Sequence, residues 1–181
     1  MFRESEKDRV NKLNACLAKI LSGMKPPEDL TVSQWADKNR RLTSESSAEV
    51  GKWRTSRTPY MFDILDSFTD PLIEHIVVVA ASQVGKSETI NNMVGYCIDQ
   101  DPGPILLIQP TIDDVKRYSE MRIAPMIRET RCLKRKVADP KSRDAANTKR
   151  QKSFPGGVLV MTGSNVAHDL SSMPIRYVFG D

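Results

Sequence analysis

Residues 80–87 (AASQVGKS) have the residue types and spacing of a phosphate-binding (Walker A) loop. They fit the pattern GxxxxGK[ST], except that Ala80 stands where the first glycine is expected. Lys86 would reach the β- and γ-phosphates of ATP, and the Ser87 hydroxyl would bind its Mg²⁺. Backbone N–H groups at the start of the following helix would face the phosphate oxygens. The residues expected to contact the nucleotide through this loop are Ser82, Gln83, Val84, Gly85, Lys86 and Ser87.

The second element of the predicted site is an acidic residue at the end of the given sequence. Residues 177–181 (YVFGD) form an apolar run that ends in Asp181. Ligands of parallel sheets bind beyond the carboxyl ends of the strands, so Asp181 would hold the Mg²⁺ of the nucleotide, with an ordinary strand-terminal Asp as the alternative. Hydrolysis also needs a carboxylate that orients water, and this group often follows such an Asp directly. Because the given sequence stops at Asp181, that carboxylate is not part of it. We therefore expect a truncated active site that binds ATP weakly and is inactive alone as an ATPase.

The loop needs a buried strand before it and a helix after it, and the sequence predicts both. Residues 75–81 (HIVVVAA) are a continuous apolar run, which is typical of a strand buried on both faces of a parallel sheet. Helices are predicted at 87–99 and 112–127, strands at 104–109 and 175–179, and a hairpin at 147–162 that turns at residues 155–157. Strands that alternate with helices predict an α/β P-loop NTPase core, with a mainly parallel sheet flanked by helices.

The N-terminal part of the chain is predicted to be helical. Apolar residues at helical spacing indicate a helix over residues 4–22, and Thr31 and Gln34 have the spacing of a capping box before a second helix. Thr58 and Pro59 resemble an N-cap and a first helical residue, opening a helix to about residue 68. We expect a helical N-terminal arm and connector over residues 1–50 and the ATPase core over 51–181.

Composition limits the classes of protein to consider. Hydrophobic residues make up 39% and charged residues 28% of the 181 residues, as in ordinary soluble domains. The longest apolar run, residues 76–81, is too short to cross a bilayer, and the N-terminus carries no secretion signal. The three cysteines form no CxxC pair, so we expect reduced thiols rather than zinc or disulfides. These features predict a cytoplasmic protein without a membrane partner.

One segment of the chain is strongly basic, whereas the remaining residues together carry a small negative charge. Residues 128–152 hold ten basic and three acidic residues, a net charge of +7 in a chain whose total is +4. Such a segment favours an anionic partner such as DNA, although a solvated loop with many charges is an equal alternative. No aromatic residue interrupts the segment, so contacts would go to phosphates rather than to bases. The expected DNA contacts are Lys134, Arg135, Lys136, Arg143, Lys149 and Arg150.

Six short motifs occur in an order and spacing that are typical of one family. They are WAD at 35–37, GKWR at 51–54 leading to Pro59 and Tyr60, SQVGKS at 82–87, QPT at 109–111, GSN at 163–165 and FGD at 179–181. In these motifs the chain resembles the large subunit of tailed-phage terminases of the lambda-like GpA type. The resemblance covers nearly the whole chain from about residue 30.

The resemblance implies an ATP-driven motor that moves viral DNA into the procapsid. The full-length protein of this kind is also an endonuclease, forms a homo-oligomer, and works with double-stranded DNA, a small terminase subunit and a portal ring in the host cytoplasm. Catalysis would use Lys86 and Asp181, with Mg²⁺ held by Ser87 and Asp181. The chain departs from the family at Ser82, where many terminases have an arginine, so a charge-stabilising arginine must come from elsewhere in the chain or from a neighbouring subunit.

One further point depends on the same resemblance. The family's adenine-contacting region corresponds to about residues 53–60, so Tyr60 would stack on adenine, with packing in the core as the alternative. Apart from the resemblance, residues 109–111 end a predicted strand beside the nucleotide site, so they would sense the phosphate state or simply turn the chain.

Two classes of rival function are open: a P-loop helicase or kinase fragment, and a non-catalytic basic fragment that binds DNA. Nucleotide binding separates the motor from the non-catalytic fragment.

Overall fold

The N-terminal helix of the fold is capped by its own side chains. A computed structural model describes residues 10–14, 16–17, 28–45, 49–137, 148–166 and 174–181. Helix α1 (Val32–Asn39) begins after Thr31, whose hydroxyl accepts the backbone N–H of Gln34. The Gln34 side chain accepts the Thr31 N–H at 3.1 Å in return, so the predicted capping box is confirmed. Residues 10–14 and 16–17 are helical, in agreement with the predicted first helix.

The connector to the core contains more regular structure than its polar sequence indicates. Strands β1 (Arg41–Leu42) and β2 (Gly51–Lys52) form a short antiparallel pair. Pro59 does occupy a first helical position, but the Thr58 side chain makes no capping bond, and the helix begins as a 3₁₀ turn over Pro59–Met61. Helix α2 (Phe62–Ser67) continues from that turn and ends where the sequence predicts.

The later part of the chain builds a mixed four-stranded sheet with helices packed on it. Helix α3 runs over Lys86–Asp99, and strand β3 over Ile105–Gln109. The predicted helix 112–127 is divided into helix α4 (Ile112–Tyr118), a π turn (Ser119–Ile123) and helix α5 (Ala124–Glu129). The remaining elements are helix α6 (Arg131–Lys136) and strands β4 (Gln151–Phe154), β5 (Gly157–Gly163) and β6 (Tyr177–Gly180).

The strand order is β4–β5–β3–β6. Strand β3 pairs in parallel with both β5 and β6, while β4 and β5 form the predicted antiparallel hairpin. Three of the four strands are therefore parallel, and β3, whose residues are almost all buried, lies between two neighbours. The prediction of an α/β fold is confirmed. Among the described residues, no helix is long and apolar enough to cross a membrane.

The predicted strand over residues 75–81 is not formed, and this prediction is wrong. The segment is extended but pairs with no strand among the described residues, and Val77 and Val79 are 87% and 95% exposed. An apolar strand needs a hydrogen-bonding neighbour and cover on both faces. Among the described strands, β6 pairs with β3 alone, and Ile76 and Val78 line a cavity together with residues of β6.

The hydrophobic core joins helix α1 to helix α3. Trp35 is fully buried, and its indole N–H donates to the Asp99 carboxylate at 2.8 Å. The ring stands edge-on to Tyr96, with 6.4 Å between centroids. Cys97 is also fully buried, and burial raises the pKa of its thiol, so it packs as a small apolar residue. Residues before 50 and after 51 thus share one core cluster, and the boundary between arm and ATPase core near residue 50 stays a prediction.

Candidate functional site

The loop before helix α3 has the backbone conformation of a tight turn into a helix. Gly85 is the N-cap of α3 and has a φ of 93°, in the left-handed region that glycine reaches without steric cost. Gln83 also has a positive φ, of 65°, which is uncommon for a residue with a Cβ. Because the helix begins directly after Gly85, its first N–H groups and the positive end of its dipole point into the loop, where an anion is stabilised.

Lys86 folds back onto this loop. Its ammonium donates to the carbonyl oxygens of Ala80 at 3.1 Å and Ala81 at 2.7 Å. These bonds place the positive charge over the loop rather than out in solvent. A phosphate bound to the loop would therefore meet a cation that is already close, and the ammonium would exchange carbonyl oxygens for phosphate oxygens.

Asp181 lies at two cavities beside the loop. A cavity of about 480 Å³ is lined by both Lys86 and Asp181. A second cavity of about 400 Å³ is lined by Ser87 and Asp181. The Asp181 N–H donates to the Ile108 carbonyl at 3.1 Å, which fixes the end of β6 beside β3. The structure thus brings together the three residues that the sequence predicts to act on the phosphates and the metal.

The donors at the second cavity fit a magnesium ion that is bound with a nucleotide. Among the described residues, no group of three or more His, Cys, Asp or Glu side chains could hold a metal by itself. Mg²⁺ in phosphate sites commonly takes one or two carboxylates and completes its shell with phosphate oxygens and water. The Ser87 hydroxyl and the Asp181 carboxylate on one cavity are such a set.

Tyr60 lies next to the loop, as its predicted role requires. Its hydroxyl donates to the Val84 carbonyl at 3.2 Å, and the side chain is 58% exposed. Packing in the core, the alternative for an aromatic residue here, does not describe this position. Stacking of the ring on adenine stays a prediction.

The second cavity is also lined by Gln109, which the sequence predicts to sense the phosphate state or to turn the chain, and by Arg122, which sequence reasoning did not assign to the site. Gln109 ends strand β3 and is 7% exposed, and its amide nitrogen has no hydrogen-bond partner among the described residues. Arg122, in the π turn, lines the same cavity. Arg122 could not be found from the sequence, because no motif marks it and its position depends on the break between α4 and α5.

A buried polar cluster lies directly behind the loop. The guanidinium of Arg40, 2% exposed, donates to the Glu88 carboxylate at 2.5 Å and to the Asn92 side-chain oxygen at 2.8 Å. Burial lowers the pKa of Arg40, and its pairing with Glu88 opposes that effect. The buried Tyr118 hydroxyl donates to the Asn91 side-chain oxygen at 2.8 Å. Burial and, next, the negative charge of Asp181 raise the pKa of Tyr118, so this hydroxyl stays protonated and keeps its hydrogen bond.

The basic segment is partly neutralised by partners within the fold. Lys134 and Arg135 are exposed on α6, whereas the Lys136 ammonium lies 2.9 Å from the Asp99 carboxylate. Lys149 pairs with Glu120 at 2.5 Å. Lys152, 6% exposed, has a pKa lowered by burial. Of the six expected DNA contacts, Arg150 is also exposed, and Arg143 lies outside the described residues.

The mixed α/β sheet, the loop with Lys86 and Ser87, and Asp181 on the adjacent cavities are compatible with an ATPase domain. The chain belongs to the family described as phage terminase large subunit gpA, ATPase domain, whose profile matches residues 47–181. The resemblance seen in the short motifs is therefore confirmed.

Two curated relatives, each named terminase, large subunit, extend this finding. The protein of Escherichia phage lambda is 27% identical over 149 residues, which cover 82% of this chain and 23% of that protein. The protein of Enterobacteria phage P21 is 27% identical over 132 residues, which cover 73% of this chain and 20% of that protein. The chain thus spans less than a quarter of the length of these relatives. No solved structure matches it significantly.

Proposed function

We propose that this chain is the ATP-binding part of a DNA-packaging motor, the terminase large subunit, which moves viral DNA into a procapsid. The observation that carries the proposal is the placement of Lys86, Ser87 and Asp181 around two adjoining cavities at the start of helix α3. A cation, a hydroxyl and a carboxylate beside a helix N-terminus are the groups that a Mg²⁺-bound triphosphate needs.

Each residue has a separate role in this proposal. Lys86 leaves the Ala80 and Ala81 carbonyl oxygens and binds the β- and γ-phosphates, while the loop N–H groups bind the remaining oxygens. Ser87 and Asp181 hold Mg²⁺, which when bound neutralises charge on the phosphates. Tyr60 stacks on adenine from the exposed side of the loop.

The longer protein would add the remaining functions of the motor. By likeness to the lambda and P21 terminase large subunits, we propose endonuclease activity, a homo-oligomeric state, and association with double-stranded DNA, a small terminase subunit and a portal ring. Lys134, Arg135 and Arg150 are exposed cations of the described basic segment, and their exposure supports a role in holding the DNA backbone.

Calorimetric titration with Mg-ATP tests the nucleotide site. Lys86→Ala removes the phosphate-binding cation, and we expect it to abolish most of the affinity. Lys38→Ala is the matched control, because Lys38 is an exposed lysine on α1 whose partner is Glu28. The proposal predicts wild-type affinity for the control variant. Equal affinity of the Lys86→Ala variant and the wild type would contradict it.

A further inference from the structure

The second cavity joins the metal-binding end of the predicted site to a cationic side chain. Ser87 and Asp181 lie on it together with Gln109 at the end of β3 and Arg122 in the π turn. These four residues come from four separate parts of the chain. A π turn inside a helix is rare and is frequently found at functional sites, and here it carries the arginine that lines the cavity.

Arg122 shares the carboxylate of Glu88 with a second guanidinium group. The Glu88 carboxylate pairs with Arg40 through one oxygen, at 2.5 Å, and with Arg122 through the other, at 3.0 Å. One carboxylate thus shares two guanidinium groups, and the trio carries a net positive charge. Arg40 is buried, whereas the Arg122 side chain is 39% exposed, so the outer end of the trio faces the cavity.

The other carboxylates that line this cavity have cations of their own. Glu45 pairs with Arg128 at 3.0 Å, and Asp114 pairs with Arg117 at 2.5 Å. Asp181 is the carboxylate assigned to Mg²⁺ in the proposed function. An anion that enters the cavity therefore meets Arg122 as a partly exposed cation whose Glu88 partner is shared with Arg40.

Gln109 supplies an independent observation that points to a ligand. Its side chain is more than nine-tenths buried, it lines the cavity, and its amide N–H₂ group has no partner among the residues that the structure describes. A buried donor without an acceptor costs stability. An acceptor oxygen of a ligand in the cavity would satisfy it.

We infer that this cavity holds the terminal phosphate of the nucleotide, with Arg122 as its cationic ligand and the Gln109 amide as a second donor. The inference rests on the proposed function and deepens it, because it makes the site selective for a triphosphate over a diphosphate. It also places within this chain the arginine that the phosphate loop lacks at Ser82. A guanidinium suits this task because its planar set of donors binds phosphate oxygens in pairs.

The test compares two nucleotides on each variant by calorimetry: Mg-ADP and the Mg²⁺ complex of the non-hydrolysable β,γ-imido analogue of ATP. For Arg122→Ala we expect affinity for the analogue to fall about tenfold or more, as for loss of a charged hydrogen bond, and affinity for ADP to change less than about twofold. Arg122→Lys should restore part of the loss. Arg117→Ala is the control, since Arg117 lines the same cavity but is held by Asp114.

Arg122→Ala also removes an ion pair with Glu88, so thermal unfolding of each variant is measured alongside. Gln109→Leu is the second variant, because it removes the unpartnered donor without touching that ion pair. We expect it to fold and to lose affinity for the analogue but not for ADP. Equal affinity for the analogue in Gln109→Leu, Arg122→Ala and the wild type would overturn the inference.

The outcomes separate this inference from the proposed function. If the wild type binds neither nucleotide, both fail. If the wild type binds both and Lys86→Ala binds neither, while the Arg122 and Gln109 variants bind both normally, the nucleotide site stands and only the inference about the cavity fails. Equal loss of ADP binding and analogue binding in the Arg122 variants would also contradict the inference, because Arg122 would then support the phosphate loop as a whole and not bind the terminal phosphate.

Discussion

The Lys86 ammonium donates to the Ala81 carbonyl at 2.7 Å, so the residue expected to bind phosphate is held by its own loop. Lys86 is half-buried, but its two hydrogen bonds are exposed to solvent, so we expect its loss to change stability by about 0.5 kcal/mol, as for substitutions outside the core. We therefore predict that Lys86→Ala unfolds at nearly the same temperature as the wild type while losing nucleotide binding. Differential scanning calorimetry without ligand checks this, and a large drop in melting temperature would mean that Lys86 is structural.

Gly95 packs so closely against Trp35 that there is no space for a side chain at this position. A Cβ on Gly95 would lie 2.5 Å and 2.9 Å from carbon atoms of the fully buried Trp35 ring. Gly95→Ala should therefore destabilise the fold by about 1–3 kcal/mol, as overpacking does. Gly180→Ala is the matched control, because a Cβ there meets nothing within 4 Å. Urea unfolding of both variants measures the effect, and equal stability would refute the described packing of α1 on α3.

The Asp99 carboxylate is expected to make the free energy of unfolding depend on pH in the acid range. Burial alone would raise its pKa, but hydrogen bonds from Trp35, Lys136 and Gln100 hold the pKa below its ordinary value. The unfolded chain therefore takes up the Asp99 proton at a higher pH than the folded chain does, so this contribution is present above about pH 4 and is lost as the pH falls through the folded pKa.

Asp99→Asn removes the titrating group and should flatten that part of the profile. The free energy of unfolding in urea, measured from about pH 7 to about pH 3, would show it. Lys136→Met removes one of the donors and should shift the profile in the same direction by less. An unchanged pH dependence in Asp99→Asn would show that other carboxylates dominate.

The exposed cations of helix α6 are predicted to contact DNA phosphates. Replacement of both Lys134 and Arg135 by alanine should lower the slope of log affinity against log salt concentration by about two, since each neutralised phosphate releases nearly one counterion. Lys136→Ala should change the slope little, because its ammonium is paired with Asp99 at 2.9 Å. Titration of a fluorescent duplex at several salt concentrations measures this. An unchanged slope in the double variant would leave the segment as a solvated surface.

Local signals in the sequence predicted several parts of the fold correctly. The capping box at Thr31 and Gln34 depends on four consecutive residues, and the hairpin around residues 155–157 depends on a turn that Pro and Gly favour. The helix after the predicted phosphate loop is likewise a local signal, and it begins at Lys86, directly after Gly85. These features could be predicted because the residues that determine them are neighbours in the chain.

Features that depend on distant neighbours could not be predicted. Residues 75–81 are as apolar and β-branched as a buried strand, but they pair only where another strand lies beside them, and among the described strands β6 pairs with β3 alone. Arg122 acquires its position from Glu88, which lies 34 residues earlier in the chain. The pairing of Lys136 with Asp99 likewise joins two separate helices. The net charge of the basic segment therefore overstated how much of its positive charge is available to an external partner.

The most direct test of a nucleotide site at this loop is the response of its backbone amides. Mg-ATP is added to isotope-labelled protein, and the amide resonances of residues 83–87, with those of Gln109 and Asp181, are followed by NMR. The account predicts saturable shifts of these resonances, which are absent from Lys86→Ala. Shifts confined to the basic residues Lys134, Arg135 and Arg150, with the loop amides unchanged, would show that ATP binds only as a polyanion and would contradict the account.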